Sequence, residues 1–279
     1  KKYPHRFILG SETFCADAGK FYARAEKNPR LIGDFVWSGW DYIGEAGVGS
    51  WVACESEDIK EDKAGWLLAG SGRIDILGDV SAERSYTETA FRQKVISLAC
   101  VSPKDYALGH SPSSWKFSWA LESYDFPGYE NKKTEAEIYS QADYVELYQN
   151  GKRIAKKKKG NSKDGTYRIK IKYVPGTLTA IGYDKNHKEI GKCSLSSLEK
   201  ETKFSVVPEK EKISSEELCY LKLLFTDRKG NVKPLENNDI EVIGRENCAL
   251  LGLGNGCPYY KDSYQGTKTK AYYGKAQAI

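Results

Sequence analysis

Carboxylates and indoles gather at two places in residues 1–50, each at the end of a short apolar run. Glu12 follows Phe7-Ile8-Leu9 and the stop at Gly10-Ser11. Trp37 closes a second run that begins at Leu31 and carries Asp34 inside it, and Trp40, Asp41 and Glu45 come next. Carboxylates held at such places can act as nucleophiles or as general acids and bases. The ordinary alternative for a lone glutamate after a strand is a cap or a surface position, and for a tryptophan at a strand end it is core packing. Asp41 and Glu45 are balanced between binding ligand hydroxyls and capping a helix. Asp34 reads as a satisfied buried carboxylate or a hydroxyl ligand, and Asp75 in GRIDILG as structural.

Neither run alternates polar with apolar residues, as expected of strands buried on both faces. About twenty helix-compatible residues join them, which makes a βαβ unit and implies a parallel sheet. In parallel α/β architectures the chemistry lies beyond the carboxyl ends of the strands, where Glu12 and the segment 37–45 fall. A helix is expected over 13–28, with Phe14, Ala18, Phe21, Tyr22 and Ala25 on one face and Asn28-Pro29 ending it. Residues 51–79 form a long loop rich in Gly, Asp, Lys and Trp, and a loop of that length is usually functional. A second helix starts at Ser81, a cap without the glutamate of a full capping box, and keeps helical spacing through Tyr86, Ala90, Phe91, Lys94 and Val95.

Residues 101–130 are irregular, with prolines at 103, 112 and 127 and with Trp115, Trp119, Tyr124 and Phe126, and they read as a crossing between modules. From Glu135 the period changes to two. Asn150-Gly151 supplies a tight hairpin turn, and Pro175-Gly176 and DKNHK supply further turns, so the segment reads as an antiparallel sandwich. Residues 201–279 repeat the pattern in FSVVPE, CYLKLLFTDRKGN and IEVIG. The run from Lys156 to Lys159 beside the hairpin reads as a solvated strand end.

Composition bounds the reading. The chain has 279 residues, 40% hydrophobic and 12% aromatic, with a net charge of +5, enough for two or three globular modules. That charge does not imply strong affinity for nucleic acid or membranes. Seven cysteines (15, 54, 100, 193, 219, 248 and 257) form no CxxC pair, and His5, His110 and His187 lie far apart, so neither a metal site nor a disulfide scaffold is expected.

ILGSET and GDFVWSGWDYIGEAGVG together resemble the nucleophile strand, the eighth barrel strand and the following loop of glycoside hydrolase family 2. IDILGDVSAERSYTETAFR resembles that family's last barrel helix, DYVELYQNGK…PGTLTAIGYDKNHKEIG its immunoglobulin-like module, and ALLGLGNGCPYYKDSYQGTKTKAYYGKAQAI its C-terminal module. The resemblance implies a multidomain chain: residues 1–126 as the C-terminal part of a catalytic TIM (β/α)8 barrel with a linker, then two antiparallel immunoglobulin-like β-sandwiches over 127–200 and 201–279. It implies a retaining exo-β-glycosidase of bacterial type, acting on terminal β-galactosides or an oligosaccharide by double displacement. Glu12 falls on the nucleophile and Trp37 on the aromatic floor of the sugar site, with Asp34, Trp40, Asp41 and Glu45 as further substrate contacts. The family's acid/base follows an asparagine upstream of the nucleophile. This sequence has no Asn-Glu pair, so the resemblance places that group outside it and makes the 279 residues inactive alone.

β-Mannosidase and β-glucuronidase are the neighbouring substrate classes. The glucuronidase branch resembles a pattern with an Asn-x-Lys pair after the nucleophile, whereas the one asparagine in residues 1–100 here is Asn28, followed by Pro29 and Arg30. Two sandwiches in series also fit a non-catalytic carbohydrate-binding or adhesive protein, which would have no need of the first hundred residues. No cofactor, nucleic acid or membrane partner is expected. Homo-oligomerisation, and bacterial cytoplasm against periplasm, are left open by the sequence.

Overall fold

The computed structural model describes residues 3, 5–52, 65–108, 110, 113–161, 164–244 and 247–279. Strand β1 (Ile8–Phe14) and strand β2 (Leu31–Trp37) pair in parallel, joined by a short 3-10 turn and helix α1 (Ala18–Ala25). The βαβ unit is therefore present, with two corrections. β1 runs on through Glu12 to Phe14, so the helix occupies 18–25 and not 13–28. The strands are also not buried on both faces: Phe7, just ahead of β1, is 71% exposed, Ile32 63% and Phe35 63%, because these two strands make a sheet of their own, with α1 packed beside β2.

The loop after β2 folds back on itself in a ladder of backbone bonds, among them Arg73 N–H to Ser38 O, Asp41 N–H to Ile74 O and Gly49 N–H to Ala69 O. Its middle, 53–64, and Cys54 with it, lie outside the described residues. Helix α2 (Ala82–Ala90) follows. Ser81 stands extended at its N-cap position, but its hydroxyl makes no cap bond. The helical reading through Val95 also fails, because Arg92 takes a φ of 61° and the chain then turns into strand β3 (Ile96–Cys100).

β3 explains itself by its burial. Ile96, Leu98 and Cys100 enter one apolar cluster with the sandwich, while Ala99 and Val101 enter another with Ala82, Tyr86 and Ala90 of α2. Alternate residues of a strand face opposite sides, and here both sides are covered. The strand is the seam between the two parts. Helix α3 (Pro103–Leu108) and the aromatic crossing come next.

The first sandwich has seven strands. β3 lies beside β4 (Lys133–Ser140) and β7 (Thr166–Lys172) in one sheet. β5 (Tyr144–Gln149), β6 (Lys152–Lys158), β8 (Thr177–Tyr183) and β9 (Glu189–Ser196) form the other, in the order β6-β5-β8-β9. Three strands facing four around one core is the immunoglobulin-like arrangement. Ile138 and Tyr167 meet Val145, Leu147, Leu178 and Ala180 there, closed by Tyr124 and Phe126 from the crossing. Thus the sandwich takes in residues from 96 onward, upstream of the boundary expected at 127. Asn150 and Gly151 both take positive φ, the tight turn their types demand. The lysines of β6 sit on a sheet edge, where charge discourages pairing with another chain.

In the last module, β10 (Lys203–Pro208), β11 (Leu221–Thr226), β15 (Lys275–Ala278) and β13 (Leu253–Gly254) form a sheet in the order β10-β11-β15-β13. It faces the pair β12 (Asp239–Glu241) and β14 (Lys268–Lys270). Phe225, Ile240, Leu253 and Ala276 fill the space between. This module reaches back to the first hundred residues: Asp79 pairs with Lys222 at 3.2 Å and Lys275 at 3.3 Å, and Tyr273 donates to Asp105.

Candidate active site

Glu12 lies on β1 between two rungs of the parallel pair, Gly10 opposite Asp34 and Phe14 opposite Trp37. The first rung is close. A Cβ at residue 10 would lie 2.6 Å from Asp34 Cβ, so a residue with no side chain is required there. The register shifts between Gly10 and Thr13, at the point where Glu12 emerges. The Glu12 side chain is exposed and meets no hydrogen-bond or ion-pair partner among the described residues. Asp34 is half-buried, and its Oδ2 atom is buried without a hydrogen bond among the described residues.

The second rung opens into an aromatic rim. Phe14 packs on Trp115 at 4.4 Å between ring centroids, Trp37 lies 6.3 Å from Trp115, and Tyr42 meets Trp37 edge-on at 5.8 Å. Tyr42 donates its hydroxyl hydrogen to Glu45, and burial, aided by that carboxylate, raises the phenol above its usual range. Trp37 keeps 36% of its surface exposed, so part of its ring is accessible to a ligand. Trp115 comes from the crossing and was not among the sequence candidates. Its signal was the density of aromatics in 115–126, whose destination the sequence does not give.

The other sequence candidates separate. Trp40 is 56% exposed, makes no ring contact with the rim among the described residues, and lies over Gly78. Glu45 reaches the rim through Tyr42, with a backbone φ of 47°. Asp41 turns inward: it is 6% exposed and accepts the N–H groups of Gly70, Ser71 and Gly72 at 2.9–3.3 Å. Burial raises its pKa, and the amides oppose that rise. The sugar-contact reading for Asp41 thus gives way to a loop-fastening one, because its carboxylate already holds three backbone donors.

Two buried charges that the sequence did not single out hold the frame. Glu83 of α2 accepts the N–H groups of Phe117 and Ser118 and pairs with Lys116 at 3.3 Å, which ties the crossing, and Trp115 with it, to the helix. Arg73 donates to Ser38 O at 3.0 Å and to Thr87 Oγ1 at 2.7 Å, locking the loop against α2 at the end of β2. Tyr86 donates to Ala16 O and accepts from Gly19 N–H, fixing the turn that leaves β1.

The end of a parallel α/β unit thus holds an exposed carboxylate near an aromatic rim, with sandwich modules behind it. Comparison with known proteins adds to this geometry. Residues 205–279 match the family described as glycoside hydrolase family 2 C-terminal domain 5, and residues 131–191 match a domain of unknown function, DUF4982. A beta-galactosidase, BoGH2A, from Bacteroides ovatus is 26% identical over 255 residues, which are 90% of this chain and 26% of that protein. A glycosyl hydrolase family 2 structure from Bacteroides cellulosilyticus superposes with a TM-score of 0.84 at 27% identity, covering 99% of this chain and 36% of the other. A second such structure, from Bacteroides cellulosilyticus DSM 14838, gives 0.78 at 24% identity, covering 99% and 34%, and shares the fold. The chain spans about a quarter of the curated relative and about a third of these structures. Its last 75 residues are thus similar to a C-terminal domain of glycoside hydrolase family 2, and nearly its whole length is similar to the C-terminal part of family 2 proteins.

Proposed function

We propose that the chain supplies the nucleophile half of a retaining exo-β-glycosidase acting on terminal β-galactosides. Glu12 would attack the anomeric carbon as the bond to the leaving oxygen breaks, giving a glycosyl-enzyme. A second carboxyl group would protonate that oxygen and later activate the water that releases the sugar. In this reading the second carboxyl belongs to a part of the enzyme outside these 279 residues, and the chain alone does not hydrolyse. Trp37 would form the floor under the apolar sugar face, with Trp115 and Phe14 bracing it. Asp34 would accept sugar hydroxyls, while Trp40 and Glu45 border the approach.

The observation that carries the reading is Glu12 itself: an exposed carboxylate between the Asp34 and Trp37 rungs of a parallel strand pair. The uncovered apolar side chains of Phe7, Ile32 and Phe35 support a closed (β/α)8 barrel in which further strands lie against β1 and β2. The galactoside choice is supported by the name of the Bacteroides ovatus relative. The test is a fluorinated galactoside that traps the glycosyl-enzyme in the full-length protein. Glu12 should carry the label, and Glu12→Gln should lower turnover by several orders of magnitude with the fold intact. Label on another carboxylate would overturn the assignment.

A further inference from the structure

A cavity of about 340 Å³ lies where the loop after β2, the crossing and the last module meet, and it includes none of Glu12, Asp34 or Trp37. A second hollow of about 430 Å³ shares Glu122, Ser123 and Val232 with it and continues along β9 past Ser194 and Ser196 to Asn231. The two adjoin along that shared wall, and each falls within the roughly 300–1,000 Å³ of small-ligand sites.

The first hollow is acidic, lined by the carboxylates of Asp41, Asp75, Asp79, Asp105 and Glu122 against the ammonium groups of Lys116 and Lys275. Lys275 pairs with Asp79, and Lys116 pairs with the buried Glu83, so no lysine of the hollow is left to bind an anion. Asp79 also holds Lys222, and Glu122 accepts the Ser85 hydroxyl. Burial holds Asp75 and Asp105 above the usual carboxylate range. Hydrogen-bonding capacity, in contrast, is left over. The Ser81 hydroxyl is buried with no partner among the described residues, and Asp75 uses Oδ1 for the Leu77 and Asp79 amides while Oδ2 makes no hydrogen bond among the described residues. Trp119 and the 38%-exposed Tyr259 supply rings beside these groups. The second hollow adds the Ser194 and Ser196 hydroxyls, each shared with a threonine of β8, and Asn231, whose amide nitrogen is held by Asp227. Rings, unmet hydroxyl and carboxylate oxygens, lysines already held in ion pairs and two adjoining hollows suit a polyhydroxylated ligand of repeated units.

The geometry points to these adjoining hollows as a binding site for a neutral oligosaccharide, with one sugar between Trp119 and Tyr259 and the chain running on along β9. The inference stands independently of catalysis at Glu12, since it requires binding alone.

Calorimetric titration of the whole 279-residue chain tests it. The probes are tetrasaccharides of β-linked galactose, glucose and mannose, with glucuronate and tetramethylammonium chloride as the anionic and cationic arms. Saturable binding of at least one tetrasaccharide is expected, weakened about tenfold or more by Tyr259→Ala and by Ser196→Trp. Tyr259 is partly exposed, so its truncation leaves the core in place, and circular dichroism checks the fold of each variant. No saturable binding to any tetrasaccharide overturns the inference. So does binding that Trp37→Ala abolishes and Tyr259→Ala spares, or tighter binding of either charged probe.

Discussion

Gly256 of the last module and Asp75 of the loop after β2 touch: a Cβ at residue 256 would lie 2.5 Å from Asp75 Oδ2 and 2.9 Å from its Cγ. The Asp75 carboxylate cannot swing aside freely, because its Oδ1 holds the Leu77 and Asp79 amides at 2.9 Å each. The module thus seats on the loop by backbone-to-side-chain contact, with Asp79, Lys222 and Lys275 paired beside it.

Gly256→Ala is therefore expected to destabilise the chain by about 1–3 kcal/mol through overpacking. Denaturant melts of Gly256→Ala, Asp75→Ala and the double variant form a cycle, and the double variant should lose less than the sum of the singles. Strict additivity would show that the two residues do not constrain each other.

Asp75 also sets a pH dependence. Burial pushes its carboxyl from 3.8 up to about 6. Between roughly pH 4 and 6 the folded protein holds a proton that the unfolded chain releases, so stability falls as pH rises through that window, by about 3 kcal/mol at most. Asp75→Asn keeps an acceptor for the two amides and cannot ionise. It should melt higher than the parent at about pH 7.5 and lose that advantage near pH 4. An advantage that is the same at both pH values would contradict this.

Removal of the Asp41 carboxylate strands three backbone donors. Asp41→Ala is expected to cost about 3 kcal/mol, since buried donors left unmet carry their full desolvation penalty. The loss should be local, opening the turn at 70–72. Limited proteolysis should cut the variant within 65–75 sooner than the parent, and equal cutting rates would argue that other contacts hold the loop.

The seam strand fixes where the sandwich can be separated. A chain of residues 95–279 keeps Ile96, Leu98 and Cys100 as well as Tyr124 and Phe126 in the core, whereas 127–279 loses all five. The longer piece should melt cooperatively. The shorter one exposes the edge of β4 and is expected to aggregate or unfold at markedly lower temperature. Equal melting temperatures would show that β3 contributes nothing to the sandwich.

Local sequence determined what local physics can encode. Period-two alternation gave the sandwich strands, Asn150-Gly151 gave a turn with both φ values positive, and two apolar runs joined by a short helix gave the parallel pair that carries Glu12 and Trp37. Three-dimensional packing decided the rest. The helical spacing that runs to Val95 gives way where β4 offers residues 96–100 hydrogen bonds on one side and two cores cover their alternate faces. Asp41 looks like a ligand for hydroxyls until the amides of residues 70–72, 29 or more positions away, fold onto it. Trp115 joins Trp37 because Glu83 anchors the crossing from another helix. In each case the partner lies tens of residues away, and a side chain's role follows from the partner that satisfies its charge or covers its face. Spacing along the chain does not name that partner.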